Sequence, residues 1–244
     1  MKKKLSKNDI YCIIIFTISI TGIIINRAIN GFGNILWIAD FGSIFGVLYS
    51  IFATRHSILM HVFNFISTIF IATTSLLQHI YFNAVFCFAV SAPLILLGII
   101  NWKRNDKKDK NKNLKALSKR GKIIFPITLI AVLPVIMVVL WKLNSNLFYL
   151  DAINTSLCFI GLMLSSQMYY EQFYVFLVAN IVGIVMNSIL CTQNLNNIVY
   201  VLMNIVYFIS TIISIINWKK LYSQQQNSLQ EGETEILQSE EIGS

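Results

Sequence analysis

Asn64 and Asn180 lie 116 residues apart, each inside a long apolar run. An amide side chain offers two hydrogen-bond donors and an acceptor at no charge cost. Two of them facing each other could grip a neutral or cationic polar solute. They could equally bond helix to helix, a common use of Asn in lipid. The shift of 116 also carries Gly98-Ile-Ile-Asn-Trp-Lys-Arg104 onto Ser214-Ile-Ile-Asn-Trp-Lys-Lys220, so the pair belongs to a duplicated segment. Other polar groups set among apolar residues are Asp40, His61, Asn83, Asn187 and Asn204. In hydrocarbon each must face protein or a wet cavity. Asp40 has no evident basic partner. It is either paired or wetted near an exit, or it couples protons or bonds a solute.

No catalytic set accompanies these residues. His56, His61 and His79 are scattered, with no HExxH, no GxSxG and no glycine-rich phosphate loop. Cys12, Cys87, Cys158 and Cys191 fall in four different apolar runs without a CxxC pair. They read as small buried hydrophobes. The expectation is a protein that binds and moves a solute, with no enzyme activity, metal or cofactor.

The elements that must position these groups follow from composition. Of 244 residues, 56% are hydrophobic and 12% charged, against about 25% charged in soluble proteins. The apolar residues come in eight runs: Ile10 to Ile29, Ile35 to Ala53, Ile58 to Leu77, Ile80 to Ile100, Ile123 to Trp141, Phe148 to Ser166, Phe173 to Cys191 and Ile198 to Asn217. Each approaches the roughly 20 residues a bilayer crossing needs. The prediction is an all-α integral membrane protein with eight transmembrane helices. The first run has a lysine-rich start and is interrupted by Asn26 and Arg27. No small-x-small cleavage site follows it, so it reads as a membrane helix and not a signal peptide.

A net charge of +8 does not point to nucleic acid, because the charge follows topology. With the N-terminus inside, the inward segments carry 17 of the 19 basic residues, ten of them between Lys103 and Lys122. Only Arg27 and Lys142 fall outside. This is the positive-inside pattern, with both termini cytoplasmic. The Lys103–Lys122 run reads as a topogenic loop that also touches anionic lipid.

The repeat sets the layout. Residues 1–34 hold a cytoplasmic start and a peripheral helix, and residues 35–102 a first three-helix repeat. A basic cytoplasmic loop follows over 103–122, then a linking helix over 123–141. Residues 142–220 hold the second three-helix repeat, and 221–244 a polar, acidic tail predicted to be disordered. One linking crossing between two odd-numbered units makes the repeats parallel. Pro93, Pro126 and Pro134 lie inside apolar runs and predict kinks, either hinges or static bends. Trp102 and Trp218 read as interfacial anchors beside snorkelling bases. Trp37, Phe63, Tyr170, Phe173, Tyr174, Phe176 and Tyr207 could wall a ring-bearing solute, though most must simply pack.

Residues 35 to 220 resemble the PnuC family of bacterial vitamin transporters. The second repeat carries the likeness best: Asp151 opens a helix, and Tyr169-Tyr-Glu-Gln-Phe-Tyr-Val-Phe-Leu-Val-Ala-Asn180 follows. Glu171, Gln172 and Asn180 match the family, while Phe173 and Phe176 replace tryptophans. The first repeat matches in Trp37-Ile-Ala39, in Gly46 to Arg55, in Phe63-Asn64, and in Pro93, Gly98 and Trp102. Ile95, His61 and Ile99 depart from the family's usual Gln, Gly and Trp. The resemblance implies a SWEET-like fold of three, one and three helices plus an N-terminal helix. It implies a substrate site drawn from Trp37, Asn64, Trp102, Glu171, Gln172, Asn180, Asn204 and Tyr207. It also implies uptake of nicotinamide riboside or a related vitamin or nucleoside across the inner membrane by facilitated diffusion, with a cytoplasmic kinase trapping the product. Thiamine, riboflavin and deoxynucleosides are alternative substrates. Homo-oligomerisation is left open. A rival from another class is a membrane scaffold or sensor working through the basic loop or acidic tail.

Overall fold

The computed structural model describes residues 7–30, 34–108, 114–145, 147–193 and 198–242. Lys2, Lys3, Lys4 and the middle of the basic loop lie outside the described residues. The elements are α1 (Lys7–Asn30), α2 (Asn34–Thr54), α3 (Leu59–Leu77), α4 (Tyr81–Phe86), a π-helical turn (Cys87–Ser91), α5 (Ala92–Lys108), α6 (Gly121–Lys142), α7 (Phe148–Ser166), α8 (Gln172–Gln193) and α9 (Ile198–Ile242). Among the described residues there is no strand, only an isolated parallel bridge between Lys115 and Tyr169.

Seven spans are long and apolar enough to cross a bilayer, with α4, the π turn and α5 forming one of them. The π turn just precedes Pro93. A proline ring collides with the carbonyl four residues back and leaves it without its bond, and a widened turn relieves both. The apolar stretch of α1 is shorter, Tyr11–Ile25. Yet its 24 residues rise about 36 Å, more than the roughly 30 Å of hydrocarbon. The eight predicted helices are therefore all present. α1 lies at the edge, with Ile15 packed on Val47 and Ile51 of α2 and on Met203 and Val206 of α9. α6 is mostly exposed along its length, with Ile123, Ile130 and Val135 facing outward, as a lipid-facing linker should be.

Of the alternatives for Asp40, pairing is the one found, with a partner that sequence spacing did not show. Asp40 has a partner: the Arg27 Nε donates to its Oδ2 at 2.6 Å, and the ion pair is buried. The residues sit on different helices, and the α1–α2 hairpin brings them together. Arg55 donates to Cys12 Sγ at 3.3 Å, so the start of α1 lies beside the end of α2.

The two halves are α2, α3, α5 and α7, α8, α9. The first helix of each packs on the third helix of the other: α2 on α9, and α7 on α5. Hydrogen bonds fix the register. Asn101 Nδ2 of α5 donates to the Ser166 carbonyl of α7 at 2.8 Å. Asn217 Nδ2 of α9 donates to the Thr54 carbonyl of α2 at 2.9 Å, and Trp218 Nε1 to the Ala53 carbonyl at 2.8 Å. The carbonyls served are the orphans at helix C-termini. Both halves thus bring the ends of their first and third helices to one end of the molecule, which makes the repeats parallel. Four residues with positive φ close helix ends in tight turns: His56, His79, Asn144 and Met168. Two of them, His56 and Met168, follow the first helices of the two halves. A left-handed residue is a common helix stop.

Trp102 and Trp218 are not interfacial anchors. They are 2% and 0% exposed and meet edge to face at 6.0 Å. Ala53, Met60, Leu114, Met168 and Phe173 complete their cluster. They are covered because the chain does not stop there. The expected disordered tail is instead the continuation of α9 to Ile242, and Leu221 and Tyr222 pack against the cluster. Residues 221–242 hold no proline and many good helix formers, so the packed stem propagates. The end of the basic loop is also ordered. Lys115 N–H donates to the Met168 carbonyl at 3.1 Å, and Tyr170 N–H to the Lys115 carbonyl at 3.2 Å. Leu114 N–H donates to Gln225 Oε1 at 3.0 Å, and Leu114 enters the cluster.

Candidate functional site

Between the halves, mid-way along the helices, a belt of hydroxyl and amide groups crosses from α3 to α8. It starts from two glycines of α2 spaced one turn apart. Gly42 and Gly46 form the small-residue pattern that lets helices approach closely. Ser67 of α3 donates to the Gly42 carbonyl at 2.7 Å. A methyl group on Gly46 would collide with the Tyr207 hydroxyl and stand 3.3 Å from Ser67 Oγ. Gly46 is therefore the gap that receives the Tyr207 hydroxyl of α9, with Ser67 of α3 lining the same space. Tyr49 of α2 lies within electrostatic reach of Tyr207 and of Cys158 of α7. Ser210 of α9 donates to Ser50 Oγ of α2 at 3.3 Å across the halves, both buried.

The belt continues along α9. Thr211 donates to the Tyr207 carbonyl at 2.7 Å, and Asn180 Nδ2 of α8 donates to Thr211 Oγ1 at 3.0 Å. Asn64 stands three residues before Ser67 on α3, on the same face. It is half-buried, and its amide has no hydrogen-bond partner among the described residues. The residue 116 positions before Thr211 is Ile95, 2% exposed. The second half thus engages its asparagine internally, and the first half leaves its own asparagine uncommitted.

The other residues singled out from sequence are dispersed. Trp37 is 49% exposed at the far end of α2, with the Arg27 guanidinium 4.2 Å over its ring. Trp102 is in the cluster described above. Glu171 lies in the α7–α8 turn, where its Oε1 accepts from Leu117 N–H at 2.8 Å and anchors the ordered loop end. Gln172 follows, 0% exposed, and neither amide atom has a hydrogen-bond partner among the described residues. Asn204 donates to the Tyr200 carbonyl of its own helix at 2.8 Å and fills the space over Gly183. Of these residues, Asn180 and Tyr207 are linked through Thr211 in the belt, and Asn64 stands one turn from Ser67 on α3.

Most aromatic candidates pack. Phe63 stacks on Phe45 and Phe52, Phe173 meets Trp218 edge to face, and Tyr170 lies tilted against Tyr222. Phe176 rests on Gly161, where a methyl group would come within 2.5 Å of its ring. His61 is 2% exposed against Gly98 and Trp102. Gly98 leaves the room that its repeat mate Ser214 would not. Sequence reading missed Ser50, Ser67, Ser210, Thr211 and Tyr49. Hydroxyls are too common to stand out, but the Gly42–Gly46 spacing could have marked the place.

These features sit in a fold with known relatives. The chain resembles the crystal structure of the Vitamin B3 transporter PnuC with a TM-score of 0.71 and 20% identity, over 92% of this chain and 95% of that one. No curated protein matches the chain. The family described as Nicotinamide mononucleotide transporter matches residues 36–220. Eight helices, paired repeats and that match together place the chain in the nicotinamide mononucleotide transporter (PnuC) family, a family of multi-pass membrane transporters and not of enzymes.

Proposed function

We propose that this protein carries a dephosphorylated vitamin or nucleoside, nicotinamide riboside or a close analogue, between the two halves. The observation that carries the reading is the chemistry of the belt. Its groups are hydroxyls and amides, and no Lys or Arg lies among its described residues. A riboside offers hydroxyls to Asn64, Ser67 and Tyr207, and its flat ring suits aromatic neighbours. A phosphate would need cationic or densely paired donors in a dry site. The buried Arg27 is held by Asp40 at the α1 edge. The family's name refers to the mononucleotide, and the belt favours the species without its phosphate.

Movement is passive in this reading, because no nucleotide-binding loop is present to drive it. A cytoplasmic kinase traps the product by adding the charge that the bilayer rejects. The ends carrying Arg55, Lys103, Arg104, Lys219 and Lys220 face the cytoplasm of a cell whose inner membrane holds the protein, with both termini inside. Residues 35–102 and 142–220 act as the two transporting halves around the linker 123–141. A thermal-shift screen of the purified protein tests the substrate. A ligand at a hundred times its Kd should stabilise by about 2.7 kcal/mol. Nicotinamide riboside should do so, and thiamine, riboflavin and deoxynucleosides should do so less. A larger shift with the mononucleotide would overturn the reading.

A further inference from the structure

The basic end of the molecule is closed by a set of contacts that repeats across the two halves. Asn101 ties α5 to the last turn of α7, and Asn217 ties α9 to the end of α2. Each bond joins the third helix of one half to the first helix of the other. Between the two bonds lie Trp102 and Trp218, edge to face and buried. Leu114 covers them from outside, on a short segment held by backbone bonds to the α7–α8 turn and by Gln225.

This arrangement lies across the route from the belt to the basic end. The helices tied by the bonds, α2, α5, α7 and α9, are those that meet between the halves. A solute leaving the belt that way must part them. The ties suit a door better than a weld. Each is one amide-to-carbonyl bond, modest in net strength. When it breaks, both partners enter a mouth where water can satisfy them. The halves are rigid helices, so opening is one concerted separation of two packed surfaces, the form bistable transitions take. Leu114 sits on a loop segment that can withdraw without moving a helix.

We infer that Asn101 and Asn217 form the clasp of the gate at the basic end, with Leu114 as its outer plug. They are positioning residues: they touch no substrate and set how often that end is open. The inference rests on transport between the halves and not on which vitamin is carried.

The test uses Cys158, midway along α7 and within electrostatic reach of Tyr49, as reporter after Cys12, Cys87 and Cys191 are changed to Ala. A membrane-impermeant methanethiosulfonate is applied to inside-out and right-side-out vesicles. In a parallel sample, Lys219→Cys identifies the vesicles that present the basic end. A mistaken topology and a mistaken gate therefore give different results. Asn101→Ala with Asn217→Ala should speed labelling of Cys158 from the basic end by about tenfold or more, with labelling from the other end unchanged or slowed. Leu114→Ser should act in the same direction more weakly. Equal labelling rates with and without the clasp would overturn the inference, and so would an equal rise from both ends, which marks a general brace. A second arm does not depend on the double variant folding. Asn101→Cys and Ser166→Cys, joined by a short bifunctional methanethiosulfonate, should stop uptake until reductant is added. Undiminished uptake by the cross-linked protein would overturn the gate.

Discussion

In the second half Asn180 donates to Thr211 at 3.0 Å. In the first half the position equivalent to Thr211 is Ile95, and Asn64 finds no hydrogen-bond partner among the described residues. The basic end behaves differently: Asn101 and Asn217 make matching bonds to opposite halves. Symmetry is kept at the basic end and lost at the belt proposed to receive the solute. A small solute has no two-fold axis of its own, so a symmetric cradle would serve it poorly. The repeat position that carries the Thr211 hydroxyl in the second half carries no hydroxyl in the first. The ends of the first helices away from the basic end differ too. Asp40 pairs with Arg27 from the extra helix α1. Among the described residues Asp151 meets the hydroxyls of Ser145 and Thr155, at 3.5 and 3.4 Å, and no basic group.

The largest effect should come from that last contrast. Arg27→Leu leaves a buried carboxylate unpaired and should cost about 3–5 kcal/mol, read as a lower melting midpoint in detergent. Arg27→Leu combined with Asp40→Leu should recover most of it. Asp151→Asn should cost about 1 kcal/mol or less, since long hydroxyl contacts are weak. Similar losses at Asp40 and Asp151 would erase the distinction between those ends.

The next effect separates the asparagines. Asn64→Leu should weaken substrate affinity about threefold to tenfold, the value of one hydrogen bond to an uncharged group, while the melting midpoint holds. Ile95→Thr should sharpen the point. It offers Asn64 the partner that Asn180 has, and uptake should fall as the amide is engaged. The smallest effect is Asn180→Leu. It should lower stability by about 1 kcal/mol, with uptake per folded molecule changed less than twofold. If Asn64→Leu and Asn180→Leu cut uptake equally, the halves share the work and the asymmetry has no functional meaning.

What was legible in the sequence divides along physical lines. Apolar runs of bilayer length are dictated by the solvent, so the eight helices could be read directly. The repeat could be read because Asn-Trp-Lys recurs at a fixed distance. Partners on other helices could not. The Arg27–Asp40 pair joins residues whose separation matches no single-helix spacing, and Asp40 looked isolated for that reason. Trp102 and Trp218 sit next to lysines, the usual mark of an interface. Their burial depends on Leu114 and on the continuation of α9, neither of which any local pattern reveals. The tail's acidic composition pointed to disorder, but a helix already built needs only permissive residues to continue. Asn64 and Asn180 look identical from sequence, and Ile95 against Thr211 tells them apart only once α5 and α9 are placed beside them.

Passage is proposed to be passive and limited to the dephosphorylated ligand, through a belt with no Lys or Arg among its described residues. Proteoliposomes holding only this protein test it most directly, with radiolabelled nicotinamide riboside and its mononucleotide offered in turn. The riboside should equilibrate without ATP or a pH gradient, and it should accumulate only when a kinase and ATP are sealed inside. The mononucleotide should stay outside. Entry of the mononucleotide at a comparable rate, or riboside accumulation driven by an imposed proton gradient and lost in Asp40→Asn, would contradict the account.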